Sequence, residues 1–515
     1  MSAPTFCDRC GGAVEEVCKL WDEHAELDAL SERLSLKRYD LKRKFNRLQS
    51  PINHRLPPDI ISTIFEFCLR DFTDHQVSPY TEEDLSIPLS LGAICSYWRD
   101  IAWSTPTLWS SLVIRVTRKH DSLTTDIAEE WLARSGQLPL TIRISSRKYI
   151  NTVSALANII NQYSSRWFDL DLYIPDHYYK YFHATNNHAP LLKSIRFHCP
   201  SNKLKNLNFR LTCPRLERAS LSNFPVDGTN IQWDNLTHLT LDSISIIDSF
   251  RILRKAPRLV FCNYLGFCTS IEGRSIGAPV FASLRSLQLP RAGSAEGFLN
   301  SLIAPHLEEL SLPDYSITSM ETITSFLRRS ACSLRSFSTL LSGLPPYFEG
   351  FMNLLQSMPS LNTLSIKSVT TIARPFDIAT TPEDYDPRNI LQLVDRVLSS
   401  QSTSLQQGFL PNLKILEYTG KLHLRPGNYD ERYSLPPADN SVHVPLHLLK
   451  LNIPPATRLP KDMVSYLSSL VERGVTVNVL NDSEDIFQSS IDYYRRRKDF
   501  LCRDWIDDFE SSFFS

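Results

Sequence analysis

Two stretches, Leu236-Thr237-His238-Leu239-Thr240-Leu241 and Leu307-Glu308-Glu309-Leu310-Ser311-Leu312, share the pattern L-x-x-L-x-L. In an extended chain successive side chains point to opposite faces. Leu239 and Leu241, like Leu310 and Leu312, therefore face one side, and the polar residues between them face the other. The same unit, or its apolar equivalent, begins at Trp167, Leu192, Leu216, Leu236, Leu259, Leu284, Leu307, Leu334, Leu361, Leu413 and Leu446. Adjacent starts lie 20 to 27 residues apart up to Leu361, then 52 (about two units) and 33. A proline or cysteine stands just upstream of many, as in Cys213-Pro214-Arg215-Leu216, Ala256-Pro257-Arg258-Leu259, Ala304-Pro305-His306-Leu307 and Met358-Pro359-Ser360-Leu361. Between units, apolar residues recur at helical spacing: Phe250, Ile252 and Leu253; Met320, Ile323, Phe326 and Leu327; Phe351, Leu354 and Leu355; Ile390, Leu391, Val394, Val397 and Leu398. A period of this size marks units that bury their apolar face against one another.

The pattern resembles a divergent leucine-rich repeat. That resemblance implies an α/β solenoid over residues 116–484, with a curved parallel sheet on the concave wall and helices on the convex one. The alternative is an unrelated α/β fold with coincidental spacing, but period and position agree across many units. The outward strand positions are then the expected substrate-binding face: Arg196, Arg218, His238, Thr240, Asn263, Gln288, Glu309, Ser336, Ser338, Thr363, Ser365, Lys367 and Glu417. These residues are small, polar and mixed in charge, which favours recognition by shape and hydrogen bonding over a strongly charged ligand. Residues 370–388 and 424–444, rich in Pro, Asp and Asn, interrupt the array as long loops. Residues 485–515 mix acidic and aromatic side chains and predict a helix that caps the array or lies across its concave face.

Upstream stand two apolar blocks, Leu56 to Leu69 (LPPDIISTIFEFCL) and Pro88 to Leu112 (PLSLGAICSYWRDIAWSTPTLWSSL). Pro57 and Pro58 suit a first helical turn, and Asp59 suits its dipole. Ile60, Ile61, Ile64, Phe65, Cys68 and Leu69 form a stripe too broad for one short helix to bury within a tiny domain. The polar residues 70–87 predict a surface loop. Residues 13–50 read as a long amphipathic helix with Leu20, Leu27, Leu34, Leu41 and Leu48 every seven residues. Its acidic first half and basic second half favour antiparallel self-pairing. The helix either self-associates weakly, folds back on the chain or is a solvated spacer. Residues 1–12 read as a loose N-terminus. Cys7 and Cys10 form C-x2-C, and with Cys18 and His24 could supply four zinc ligands, although one C-x2-C alone is a weak signal.

Together, LPP-D-I-I-x-x-I-F, I-C-x-x-W-R-x-I-A and T-P-x-L-W, followed by Trp131-Leu132-Ala133-Arg134-Ser135-Gly136, resemble the F-box proteins abundant in mushroom-forming fungi. The resemblance covers roughly residues 1–145, with the F-box-like helical module at 51–115. It implies docking to the Skp-type adaptor of a cullin–RING (SCF) ubiquitin ligase, and through it to the cullin. The expected adaptor-binding residues are Leu56, Pro57, Ile60, Ile61, Ile64, Phe65, Leu69, Trp98, Ile101 and Trp109. Trp98, Ile101 and Trp109 serve either that surface or the module's own core. The repeat region would hold a protein substrate. The alternative is a leucine-rich-repeat interaction scaffold without a ligase role.

Composition agrees with a non-catalytic binding protein. The 515 residues are 42% hydrophobic and 22% charged, with a formal net charge of −1 and therefore no global basic field for nucleic acid or an anionic membrane. No apolar run spans a bilayer, and the N-terminus lacks the apolar core of a secretory signal. Eleven cysteines without a framework pattern suit a reducing cytoplasmic or nuclear compartment. No GxSxG elbow, Walker loop, H-E-x-x-H or nucleotide fingerprint is present, so neither catalytic residues nor cofactors are expected. His198-Cys199, Cys262 and Cys268 lie within or just after predicted strands, where small buried cysteines are common.

Overall fold

The computed structural model describes residues 15–49, 55–69, 87–117, 121–147, 150–200, 209–226, 229–266, 279–290, 295–312, 320–341, 348–368, 393–394, 396–398, 409–420, 446–453, 458–459, 461–481 and 484–496. Cys7, Cys10, Cys268, residues 70–86 of the predicted surface loop, and the segments 370–388, 424–444 and 497–515 lie outside them. The chain forms two compact units, 1–173 with 181–186 and 174–180 with 187–515.

The first unit begins with a 35-residue helix, α1 (Glu15–Gln49). Three shorter helices follow, α2 (Pro58–Phe67), α3 (Ile87–Ile94) and α4 (Ser96–Ser104), then a 3-10 turn at Pro106–Trp109. Pro58 starts α2 where a missing N–H costs nothing. Cys95 separates α3 from α4: its backbone is extended, and its Sγ accepts from the Trp98 amide at 3.4 Å. Thr105, extended because Pro106 follows, ends α4. The chain then alternates β1 (Ser111–Arg115), α5 (Asp121–Arg134), β2 (Leu140–Ser145), α6 (Thr152–Asn161) and β3 (Trp167–Tyr173), with β1–β2 and β2–β3 both parallel. Residues 111–115, taken from the sequence as the end of the helical module, are thus a sheet strand. Leu140, Ile142 and Ile144 alternate inward ahead of the first predicted unit at Trp167. Both strands lack the six-residue signature and were legible only as short alternations.

Trp109 centres this unit's core. Its ring meets Trp103 at 5.2 Å and Trp131 at 4.7 Å, both edge-on, and its Nε1 donates to the Ala102 carbonyl at 2.7 Å. Arg166, largely buried, closes the turn after α5. Its Nε donates to the Leu138 carbonyl at 2.8 Å, and an Nη donates to Ser135 Oγ at 2.7 Å.

The second unit is built on parallel strands taken in chain order. They are β4 (Ser194–His198), β6 (Arg218–Ser222), β8 (His238–Asp242), β9 (Phe261–Tyr264), β10 (Ser286–Gln288), β11 (Glu309–Leu312), β12 (Ser336–Leu341), β13 (Thr363–Ser368), β14 (Ile415–Thr419), β15 (Leu448–Asn452) and β16 (Thr476–Asn481). Each pairs with the next in parallel; only β16–β17 (Glu484–Asp485) is antiparallel. Short strands β5 (Phe209–Leu211) and β7 (Thr229–Ile231) pair separately. Helices α7 (Ile246–Arg254), α8 (Ala295–Asn300), α9 (Met320–Ser330), α10 (Phe348–Gln356) and α11 (Lys461–Glu472) fill strand-to-strand connections, and residues 486–496 are helical. The architecture is α/β, with a long, mostly parallel sheet and an N-terminal helix.

The upstream prolines have a structural reason. A turn precedes many strands, closed by an amide-to-carbonyl bond over three residues: Leu216 to Cys213, Leu259 to Ala256, Leu307 to Ala304 and Leu361 to Met358, at 3.1 to 3.3 Å. Pro214, Pro257, Pro305 and Pro359 occupy the second position of these turns, where a φ near −65° is required. Past each turn, inward side chains stack in two buried rows. One contains Ile195, Ala219, Leu239, Cys262, Leu287, Leu310, Phe337, Leu364, Leu416 and Leu449; the other includes Phe197, Leu221, Leu241, Tyr264, Leu312, Ile366, Tyr418 and Leu451.

Candidate interaction surfaces

The helical module separates its apolar residues onto two faces. Ile61 and Phe65 of α2 point into the core with Ile101, Ala102, Leu108 and Trp109. The Phe65 ring lies 4.9 Å from Trp98, and Thr107 Oγ1 donates to Glu66 Oε1 at 2.6 Å, holding α2 against the 3-10 turn. Of the residues expected to meet an adaptor, Ile61, Phe65, Ile101 and Trp109 are therefore internal. They belong to the module's core. Leu56, Leu69 and Trp98 are half-buried, and Pro57 is exposed. Ile60 and Ile64 face outward, 49% and 44% exposed, and Phe67 joins them at 84%. Positions 60, 64 and 67 follow the i, i+4, i+7 spacing of one helix face. Phe67 was readable from that spacing and was missed because the broad stripe hid its direction. Leu89 and Ile94 are also exposed apolar residues of the module.

In the second unit the register brings the predicted recognition residues into rows. Arg196, Ser220, Thr240, Asn263, Gln288, Ser311, Ser338, Ser365, Glu417 and Lys450 are successive partners across ten strands. A second row runs through Arg218, His238, Phe261, Ser286, Glu309, Ser336 and Thr363, and Lys367 stands two residues beyond Ser365. Each of the thirteen predicted positions is half-buried or exposed, opposite the buried rows. Ser220, Ser311 and Lys450, unremarked in the sequence, complete the first row. Lys450 Nζ lies 3.9 Å from Glu417 Oε1, pairing opposite charges across neighbouring strands.

A polar cluster at the strand C-termini was not anticipated. His198, Ser222 and Asp242 are register partners on β4, β6 and β8. Ser222 Oγ donates to Asp242 Oδ2 at 2.7 Å, and Ser243 Oγ to Oδ1 at 3.1 Å. Burial lowers the His198 pKa below its ordinary value, against the opposing pull of Asp242. Asp242 thus accepts from two serines.

Of the cysteines flagged by sequence, Cys199 and Cys262 sit among core side chains. Burial pushes the Cys199 and Cys262 thiols up to about 12, leaving almost no thiolate at neutral pH. Of the zinc candidates, Cys18 lies on α1 and His24 Nδ1 is 3.2 Å from the Asp28 carboxylate. Among the described residues no helix is long and apolar enough to cross a membrane.

No protein-family model matches the chain, and no curated protein matches it.

Proposed function

We propose that this chain is the substrate-recognition subunit of an SCF-type cullin–RING ubiquitin ligase. The helical module would dock a Skp-type adaptor, and the parallel-strand unit, read as a leucine-rich-repeat-like solenoid, would bind a protein substrate. The observation that carries the reading is the two-faced α2. Its inward side is used by Ile61 and Phe65, yet Phe67 stays largely exposed and Ile60 and Ile64 about half exposed. A helix that needs only its inner face for folding and keeps a second apolar face is built to meet another protein. The polar, hydrogen-bonding rows on the strand face suit a protein partner better than a small apolar ligand. Holding substrate beside the transferred ubiquitin would make the transfer effectively intramolecular, with no catalytic group supplied by this chain.

Co-expression with a Skp-type adaptor tests the reading. The wild type should co-purify with the adaptor, and the Ile60→Asp/Ile64→Asp variant should be folded but alone. Failure of the wild type to bind the adaptor sinks the ligase assignment and leaves an interaction scaffold.

A further inference from the structure

The α1 helix has no use in the adaptor reading, and its surface chemistry is unusual. It is 35 residues long, about 52 Å at 1.5 Å per residue. Leu20, Leu27, Leu34 and Leu41, seven residues apart, are each 59–64% exposed, and Leu30 and Phe45 on the same side are at least half exposed. A folded chain does not ordinarily leave a continuous leucine row of this length in water. Arg43 Nε donates to Ser96 Oγ at 3.2 Å, a polar contact that leaves the leucine row uncovered.

The charges say what covers it. Residues 15–32 hold seven acidic side chains and one basic, a net −6; residues 33–49 hold seven basic and one acidic, a net +6. We infer that α1 is a homodimerisation element that pairs antiparallel with α1 of a second copy. Setting Leu27 opposite Leu34 of the second copy places Leu20 opposite Leu41 and Glu23 opposite Arg38, by the symmetry of the pairing. Each acidic half then lies along a basic half, twice over. A parallel pair would set −6 against −6 and +6 against +6, so charge selects both the partner, a second copy, and its direction. The contact is isologous and closes at two chains. The inference does not rest on the ligase reading, and adaptor binding has no bearing on its test.

Sedimentation velocity of the full chain at micromolar concentration should give twice 58.9 kDa, with the dimer fraction falling as salt is raised. The Leu27→Asp/Leu34→Asp variant, altered only at exposed positions, should sediment as a monomer. A benzophenone amino acid at Trp21, photolysed in a mixture with isotopically heavy chain, should cross-link to heavy peptides around Asp40. A monomeric wild type overturns the inference, as does a dimer that survives the double substitution. Cross-links confined to the same copy (the helix folded back) or joining acidic half to acidic half overturn it equally.

Discussion

The division of labour on α2 makes a prediction with two opposite readouts. Phe65 is 1% exposed, and its ring packs on Trp98 at 4.9 Å. Phe65→Ala removes a fully buried ring and leaves a cavity, which costs about 3–5 kcal/mol. Ile60 and Ile64 are 49% and 44% exposed, so roughly half of each side chain is already covered in the free protein. The remaining half is what an adaptor would cover, worth about 0.7–1.5 kcal/mol each when full burial is worth about 1.5–3 kcal/mol. The double variant Ile60→Ala/Ile64→Ala should therefore weaken adaptor binding by about 1.5–3 kcal/mol, roughly 10- to 100-fold in Kd. By the same accounting the half already covered contributes about 0.7–1.5 kcal/mol per site to the module's stability, less than the loss at Phe65. Hydrogen exchange of the 61–67 and 98–104 amides reads local opening of this module without averaging over the rest of the chain. Isothermal titration with purified adaptor reads affinity. Phe65→Ala should accelerate exchange strongly, and Ile60→Ala/Ile64→Ala should accelerate it less while raising Kd. If the double variant opens the module as Phe65→Ala does, or leaves Kd within about twofold, the outer face is not the docking face and the reasoning fails.

Gly92 admits no side chain: a Cβ there would stand 2.1 Å from Cζ3 of Trp103, whose ring is packed by Trp109 and Arg134. Gly92→Ala should destabilise the module by about 1–3 kcal/mol, seen as a lower midpoint in tryptophan-monitored urea unfolding; an unchanged midpoint would show that Trp103 moves freely. Burial lowers His177 and His198 below the ordinary 6.5, so the folded state holds fewer protons than the unfolded chain just under that pH. Their contribution to stability is complete above 6.5 and is lost as pH falls below it, so the thermal midpoint should drop between about pH 7.5 and pH 5.5. The His177→Asn/His198→Asn variant should flatten that slope; an identical slope would assign it to other groups. Cys68 is exposed while Cys199, Cys213 and Cys262 are buried with thiols pushed up to about 12. Alkylation followed by peptide mass spectrometry should therefore label Cys68 in the native protein and the other three only on unfolding; native labelling of Cys262 at the rate of Cys68 would contradict the buried row.

Much of the strand unit was readable because its signals are local. Alternation inside Leu236–Leu241 or Leu307–Leu312 sets which side chains face inward, since the pleat has a period of two. Pro214, Pro257, Pro305 and Pro359 mark the turns because φ is fixed within the residue itself. Charge segregation along α1 is likewise a property of the chain alone.

Tertiary structure decided what depends on relations between elements. Residues Ile60, Ile61, Ile64, Phe65 and Phe67 form one apolar arc of about 160° on α2, so periodicity could not say which part of it turns inward; packing on Trp98 and the Thr107–Glu66 bond did. The same holds for Trp109, which is core because Trp103 and Trp131 close on it from separate elements. Residues 111–115 became a strand only by pairing with 140–145, a partner about thirty residues away. And the outward strand positions, separately plausible along the sequence, fell into continuous rows, Lys367 apart, only through the parallel register. Alternation selects the face of each strand, but hydrogen bonding between strands decides which residue stands beside which.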